Sequence, residues 1–168
     1  MIKRPDILEV GNHAKVRRVL EGLAGGTSLA WYHDGVRIVA RHWFLLARQH
    51  LRVAQQIDTE PRFWRSVVSR AYYAGYNCSR CVRYLVRGSI KFDASDHQEV
   101  GDLPDDFPQR AVWSTFLTDM RKDRNLADYE PWKGARLGLS IAPTASVARV
   151  REFLKVSRSY LLGKGISI

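Results

Sequence analysis

Apolar residues recur every three or four positions through most of this chain, the period that places them on one face of an α-helix. Over 36–57 the stripe is Val36, Val39, Ala40, Trp43, Ala47, Leu51 and Ala54, with Arg37, Arg41, Arg48 and Arg52 largely off it. That pattern predicts a long amphipathic helix. Asp58-Thr59-Glu60-Pro61 reads as a turn, with proline allowed at a first helical position. A second long stripe, Phe63, Val67, Ala71, Ala74, Cys78, Cys81 and Leu85, then runs to Gly88. Upstream, Asn12 is a candidate N-cap for a short helix from His13 to about Leu23, stopped by Gly25-Gly26. Thr27 to His33 is short and aromatic, a brief strand or an extended arm, and Asp34-Gly35 punctuates it.

Residues 89–108 break the period. Asp93, Ser95, Asp96, Gly101, Pro104 and Pro108 describe a polar connection, with room for a short helical turn from His97 to Val100. A further helix is expected from about Gln109 to Ala127, ending before Pro131. After an irregular stretch over 134–143, Thr144 or Ser146 caps a last helix whose stripe is Val147, Val150, Leu154, Ser157 and Leu161. The expected fold is all-α: an antiparallel four-helix bundle over 36–168, with residues 1–35 as an additional N-terminal helix and arm packed on it. No βαβ alternation, Walker A loop, G-x-G-x-x-G or G-x-S-x-G appears, which removes the sequence support for most nucleotide-binding and hydrolase architectures.

Composition agrees with one globular domain: 168 residues, 45% hydrophobic, 26% charged, with five Trp, seven Tyr and six Phe. No apolar run approaches the ~20 residues that span a bilayer. The N-terminus has no signal-like apolar stretch behind Lys3-Arg4, so the chain reads as cytoplasmic, without membrane contact. Charge adds more. The 27 basic residues against 17 acidic give a net +10. Residues 37–90 hold 10 basic and 2 acidic side chains, 91–130 hold 5 and 10, and 131–168 hold 7 and 1. A polyanionic partner is one reading of this excess; solvated faces that complement one another within a fold or a dimer are the other.

Cys78 and Cys81 form a lone C-x-x-C inside a helical pattern, without the further ligands a zinc site needs, and read as buried free thiols. His42 and His50 also lack a third ligand. Neither metal nor cofactor is expected. The helix over 109–127 carries an anomaly: its stripe Trp113, Leu117, Met120 continues to Arg124 and then Ala127, placing a fixed charge on the inward face. Such a guanidinium needs a partner. It either pairs with Asp128, four residues on, or holds a phosphate at a cleft or second subunit. Tyr72 and Tyr76 lie beside the Ala71/Ala74 stripe, with Tyr73 rotated away; rings packed at the rim of a bundle and a base-stacking patch are both compatible with that spacing.

Ser69-Arg70-Ala71-Tyr72-Tyr73-Ala74-Gly75-Tyr76, a helix ending at Gly88, His97 in the next loop and Arg124-Asn125-Leu126-Ala127-Asp128-Tyr129 together resemble the HEPN family (higher eukaryotes and prokaryotes nucleotide-binding domains). The resemblance spans about residues 36–162. It implies a small antiparallel helical bundle that homodimerises, with membership of toxin–antitoxin or phage-defence pairs in which the partner is a small nucleotidyltransferase. Catalytic members are metal-independent endoribonucleases with an R-x4–6-H motif. Arg124 and Asn125 match its start, but position 129 is Tyr. A phenol with pKa near 10 is a poor acceptor for the RNA 2′-hydroxyl proton, whereas an imidazole near 6.5 suits it. Arg124 can still stabilise phosphoryl charge. No histidine follows His97, so a substitute is limited to Asp128, Tyr129 or a His97 that folds back.

The candidate catalytic set is therefore Arg124, Asn125, Asp128 and Tyr129, and the candidate RNA-binding set is Arg70, Tyr73, Arg80 and Arg121. The expected function is an RNA-binding relative of toxin endoribonucleases with weak or absent cleavage. The competing expectation is a non-catalytic helical adaptor that dimerises and binds a nucleotidyltransferase-like or other protein.

Overall fold

A computed structural model describes residues 12–23 and 29–168, apart from the side chains of 133–135. Among these residues there are five α-helices and no strand: α1 (His13–Leu23), α2 (Ala30–Ile57), α3 (Trp64–Arg87), α4 (Arg110–Tyr129) and α5 (Pro143–Gly163). Short 3-10 turns cover Pro61–Phe63, Ala94–Glu99 and Lys133–Gly138. Helix α3 is central, packing along α2 on one side and against α4 and α5 on the others. The all-α bundle expected from the sequence is what the chain forms, and no helix in the described residues is long and apolar enough to cross a membrane.

The stripes account for the core. Val36, Val39, Ala40, Ala47, Leu51 and Ala54 of α2, and all five stripe residues of α5 from Val147 to Leu161, are buried. On α3 the burial is wider than one stripe, because three helices surround it: Tyr72, Tyr76, Ser79 and Arg83 are buried too, while Phe63, the first apolar position expected there, is exposed. Gly75 lets α4 come close, since a Cβ there would lie 3.0 Å from Leu117 Cδ2.

Two local expectations are corrected. Trp31 to His33 are neither strand nor arm: α2 begins at Ala30 and runs through Asp34-Gly35, so the boundary at 35/36 falls inside a helix. Interior glycine costs about 1 kcal/mol, and burial of Tyr32, whose hydroxyl donates to the His13 carbonyl at 2.8 Å, offsets it. Trp31, by contrast, is exposed. Neither Thr144 nor Ser146 caps α5; Pro143 starts the helix, Thr144 bonds Asp58 at 3.1 Å and Ser146 turns back to the Pro143 carbonyl. The expected stop at Gly25-Gly26 lies outside the described residues.

Helix α1 starts as the sequence implies, the Asn12 side chain accepting from the Lys15 N–H at 3.0 Å. It docks on the far end of α3. Gly88, at φ 77°, closes α3 by donating to the Arg83 and Tyr84 carbonyls, and its own carbonyl accepts from Ala14 at 3.0 Å. A Cβ at Gly88 would stand 2.5 Å from the Cβ of Ala14.

Candidate functional site

The last turn of α4 is held against α3 by Arg65, whose guanidinium donates to the Leu126 and Ala127 carbonyls and to that of Trp132. A cation at the carbonyl end of a helix satisfies groups that have no partner within it. Asp123, buried, accepts from the Ser140 and Ile141 N–H groups at 2.7 and 3.0 Å and fixes the returning loop.

Arg124 continues the buried stripe as its periodicity predicts, with a side chain 16% exposed. Its Nε lies 2.7 Å from Asp128, without the N–H aligned on the oxygen; one terminal nitrogen donates to Asn125 at 3.2 Å and the other to the Tyr73 hydroxyl at 2.7 Å. The rings of Tyr72, Tyr73 and Tyr129 surround it, with centroids 6.0, 5.4 and 5.0 Å from the guanidinium carbon. A guanidinium has five N–H groups. Each terminal nitrogen gives one hydrogen to Asn125 or Tyr73, and a further side-chain hydrogen bond joins Arg124 to Tyr129.

Arg124 borders a cleft of about 570 Å³, lined among others by Tyr76, His97, Arg121, Asn125 and Tyr129. Of the eight residues nominated from the sequence, Tyr73, Arg121, Arg124, Asn125, Asp128 and Tyr129 thus gather at one place. Arg80 is adjacent but committed: its Nε is 3.3 Å from Asp96, it donates to the Lys91 carbonyl, and it covers the Trp43 and Tyr76 rings. Arg70 stands at the edge, 3.4 Å from His50, which stacks on Tyr73.

His97 is the participant that sequence spacing left outside. It sits in the 3-10 turn Ala94–Glu99, its ring stacked on Tyr76 at 4.1 Å and on Tyr72 at 5.8 Å, with its Nδ1 2.6 Å from the Tyr72 hydroxyl. Burial lowers the His97 pKa, and the charges of Arg124, Arg80 and Arg121 lower it further against the opposing Asp96. Burial raises the Tyr72 pKa, so the phenol keeps its proton. The Tyr72 hydroxyl has no other partner than this nitrogen among the described residues. The arrangement that satisfies it has the phenol donating to Nδ1, which leaves the imidazole neutral with its hydrogen on Nε2.

The turn that carries His97 is pinned by its neighbour. Asp96, fully buried, accepts from both terminal nitrogens of the buried Arg83 at 3.1 Å and from the Lys91 N–H at 3.1 Å. Burial works to raise the Asp96 pKa, but hydrogen bonds and charge from Arg83, with bonds from Tyr76 and Lys91, hold it below the usual carboxylate range. Cys78 and Cys81 are free and buried, with burial pushing the Cys78 thiol up to about 12. The described residues hold no metal-ligating group of three His, Cys, Asp or Glu.

The fold and cleft thus define an all-α bundle with a basic, tyrosine-lined site at the junction of its third and fourth helices. No protein-family model, curated protein or solved structure matches the chain.

Proposed function

We propose that the protein is a HEPN-type RNA-binding protein whose cleft receives a phosphodiester, and that it cleaves RNA slowly or not at all. The observation that carries this reading is Arg124, held by Asp128, Asn125 and Tyr73 at the wall of a cleft that also contains Arg121. The exposed Tyr129 ring at the cleft edge, with Arg124 over it, supports stacking of a base there. The same geometry supports poor cleavage. Abstraction of a 2′-hydroxyl proton requires a free imidazole nitrogen, and His97 has its Nδ1 engaged by Tyr72. With hydrogen on Nε2 it serves as a neutral donor to phosphate oxygen rather than as a base.

The dimeric assembly implied by the family resemblance belongs to this reading. The exposed Trp132, just beyond α4, and Tyr129 offer an aromatic surface beside the cleft. A toxin–antitoxin or phage-defence setting with a nucleotidyltransferase partner rests on the resemblance alone. The adaptor reading is favoured by one observation, the Arg124–Asp128 pair, which is what a purely structural arginine would form.

The test is anisotropy of a labelled oligouridine in EDTA, followed by electrophoresis of the same RNA. Binding that weakens steeply between about 50 and about 200 mM salt is expected. Arg124→Ala should weaken it and reduce the salt slope by about one. Tyr72→Phe, which frees Nδ1, should raise any residual cleavage. Rapid metal-free cleavage by the unmodified protein, lost on Tyr129→Phe, would show that the phenol completes an active site. Absence of salt-sensitive binding would leave the adaptor.

A further inference from the structure

A second cleft, of about 290 Å³, runs between α2 and α5 and shares no lining residue with the Arg124 site. The two helices are antiparallel there: Thr144, at the start of α5, bonds Asp58, at the end of α2, and Gln55 with its amide oxygen turned inward accepts from Arg151. Arg41 and Arg48 stand along the α2 bank, and Arg151, Lys155 and Arg158 along the α5 bank. Seven residues separate Arg41 from Arg48 and Arg151 from Arg158, which is two helical turns, or about 10 Å, on each side. Five cations thus face one groove, none with an acidic partner among the described residues.

The floor is apolar. Phe44, Leu51 and Leu154 are buried core residues that border it, Leu45 is 40% exposed, and Ile168, half-buried beyond α5, lines it as well. The lining contains no Asp, Glu, Asn, Gln, Ser or Thr, so every polar side chain in it is a cationic donor. An occupant must bring acceptors along two edges and apolar groups between them. A nucleic-acid backbone meets only half of this requirement: it would neutralise the banks, leave the aliphatic floor uncovered, and find no ring to stack on, since Phe44 is only 6% exposed. A second copy of the chain does not meet it either. Helix α4, the described helix richest in aspartate, has Asp119 paired with Lys122, Asp123 buried on the returning loop and Asp128 on Arg124.

We propose that this groove docks an acidic amphipathic helix of a partner protein, two to three turns long. Its apolar side chains at i, i+3 and i+4 would cover the leucines, and its carboxylates would meet the arginines on both banks. Charge complementarity carries the choice: a groove with five like charges is self-repelling when empty, and a carboxylate-edged helix relieves that while burying the floor. The proposal is independent of the RNA reading, because the two clefts are built from different residues.

The probe is a labelled 14-residue helical peptide with Leu at i, i+3, i+4 and i+7 and Glu elsewhere, titrated with the full chain by anisotropy. A scrambled peptide of the same composition and an unlabelled oligouridine competitor are run beside it. The expected result is saturable binding of the patterned peptide, at least tenfold weaker binding of the scrambled one, and no displacement by oligouridine. The Arg48→Glu/Lys155→Glu double variant should lose binding at least tenfold and Leu45→Gln several-fold, both melting like the parent protein. Arg124→Ala should bind the peptide as the parent does while binding RNA more weakly. Equal binding of both peptides, displacement by oligouridine, or full affinity in the double variant would overturn the proposal; a double variant that loses RNA and keeps the peptide would assign the groove to nucleic acid instead.

Discussion

Replacing Asp96 with alanine removes the only carboxylate among the described residues that meets both terminal nitrogens of Arg83, a guanidinium that is 1% exposed. Breaking one partner of such a buried pair costs about 3–5 kcal/mol, because the remaining charge is left without water or counter-ion. Glu99, 3.3 Å from Arg83 and partly solvated, remains as a weaker partner and places the expected cost near the lower end, about 3 kcal/mol. For a chain of this size each kcal/mol moves the melting temperature by about 2–4 °C, so far-UV circular dichroism should show a fall of roughly 6–12 °C at neutral pH. Asp96→Asn should keep most of the loss, since the amide accepts from Lys91 but does not neutralise Arg83. The pH dependence has a definite sign. The folded carboxyl titrates below its unfolded value, so its stabilisation is complete above the unfolded pKa near 4 and disappears as pH falls through the folded pKa. The gap between parent and Asp96→Ala should therefore be constant from pH 8 to pH 5 and close in stronger acid. An alanine variant melting within about 2 °C of the parent at neutral pH would refute the claim that this pair holds the turn, since that shift corresponds to less than about 1 kcal/mol.

Three further outcomes follow from other contacts. Gly88→Ala should destabilise by about 1–2 kcal/mol through the left-handed backbone alone, and should also expose α1 to trypsin at Arg17 and Arg18, because the new Cβ collides with Ala14; unchanged proteolysis would sink the docking account. Nitrogen NMR of His97 should show hydrogen on Nε2 and a titration midpoint below 6.5, rising in Arg124→Ala as one lowering charge is removed; a midpoint at or above 6.5 in the parent contradicts it. Sedimentation should give a species near twice 19.3 kDa that Trp132→Ala converts to monomer, and a strict monomer at high concentration would remove the dimeric part of the proposed reading.

Helix positions were readable because α2 and α5 each bury one face, and a one-sided helix writes its burial into a period-3.6 stripe. Helix α3 does not. Surrounded by α2, α4 and α5, it buries Arg83 and Ser79 beside Ala71 and Cys78, and no single stripe separates those positions from the surface. The start of α2 was obscured for a different reason: Asp34-Gly35 carries a strong local turn signal, and the burial of Tyr32 against α1, a tertiary contact, overrides it. Arg83 did leave a trace in the charge distribution. A segment with 10 acidic residues against 5 basic ones follows a segment with 10 basic against 2, and the Arg83–Asp96, Arg80–Asp96 and Arg87–Asp102 pairs are where the two meet.

The cleft was legible on α4 and illegible on the turn before it. Arg124, Asn125 and Asp128 lie within one helical turn, so their mutual reach is fixed by helix geometry and can be read directly from spacing. His97 lies 27 positions before Arg124, across an irregular connection, and nothing local orients it. What brings it to Tyr72 and Tyr76 is the adjacent Asp96, pulled under α3 by Arg83, so the position of the imidazole depends on an ion pair whose members are themselves hidden from a periodicity argument. The presence of an imidazole and its competence as a base are therefore separate matters. A histidine supplied from a turn and hydrogen-bonded through Nδ1 to a buried phenol keeps its hydrogen on Nε2, and the feature that would free Nδ1 as an acceptor is the loss of one hydroxyl at Tyr72 rather than the gain of a histidine at position 129.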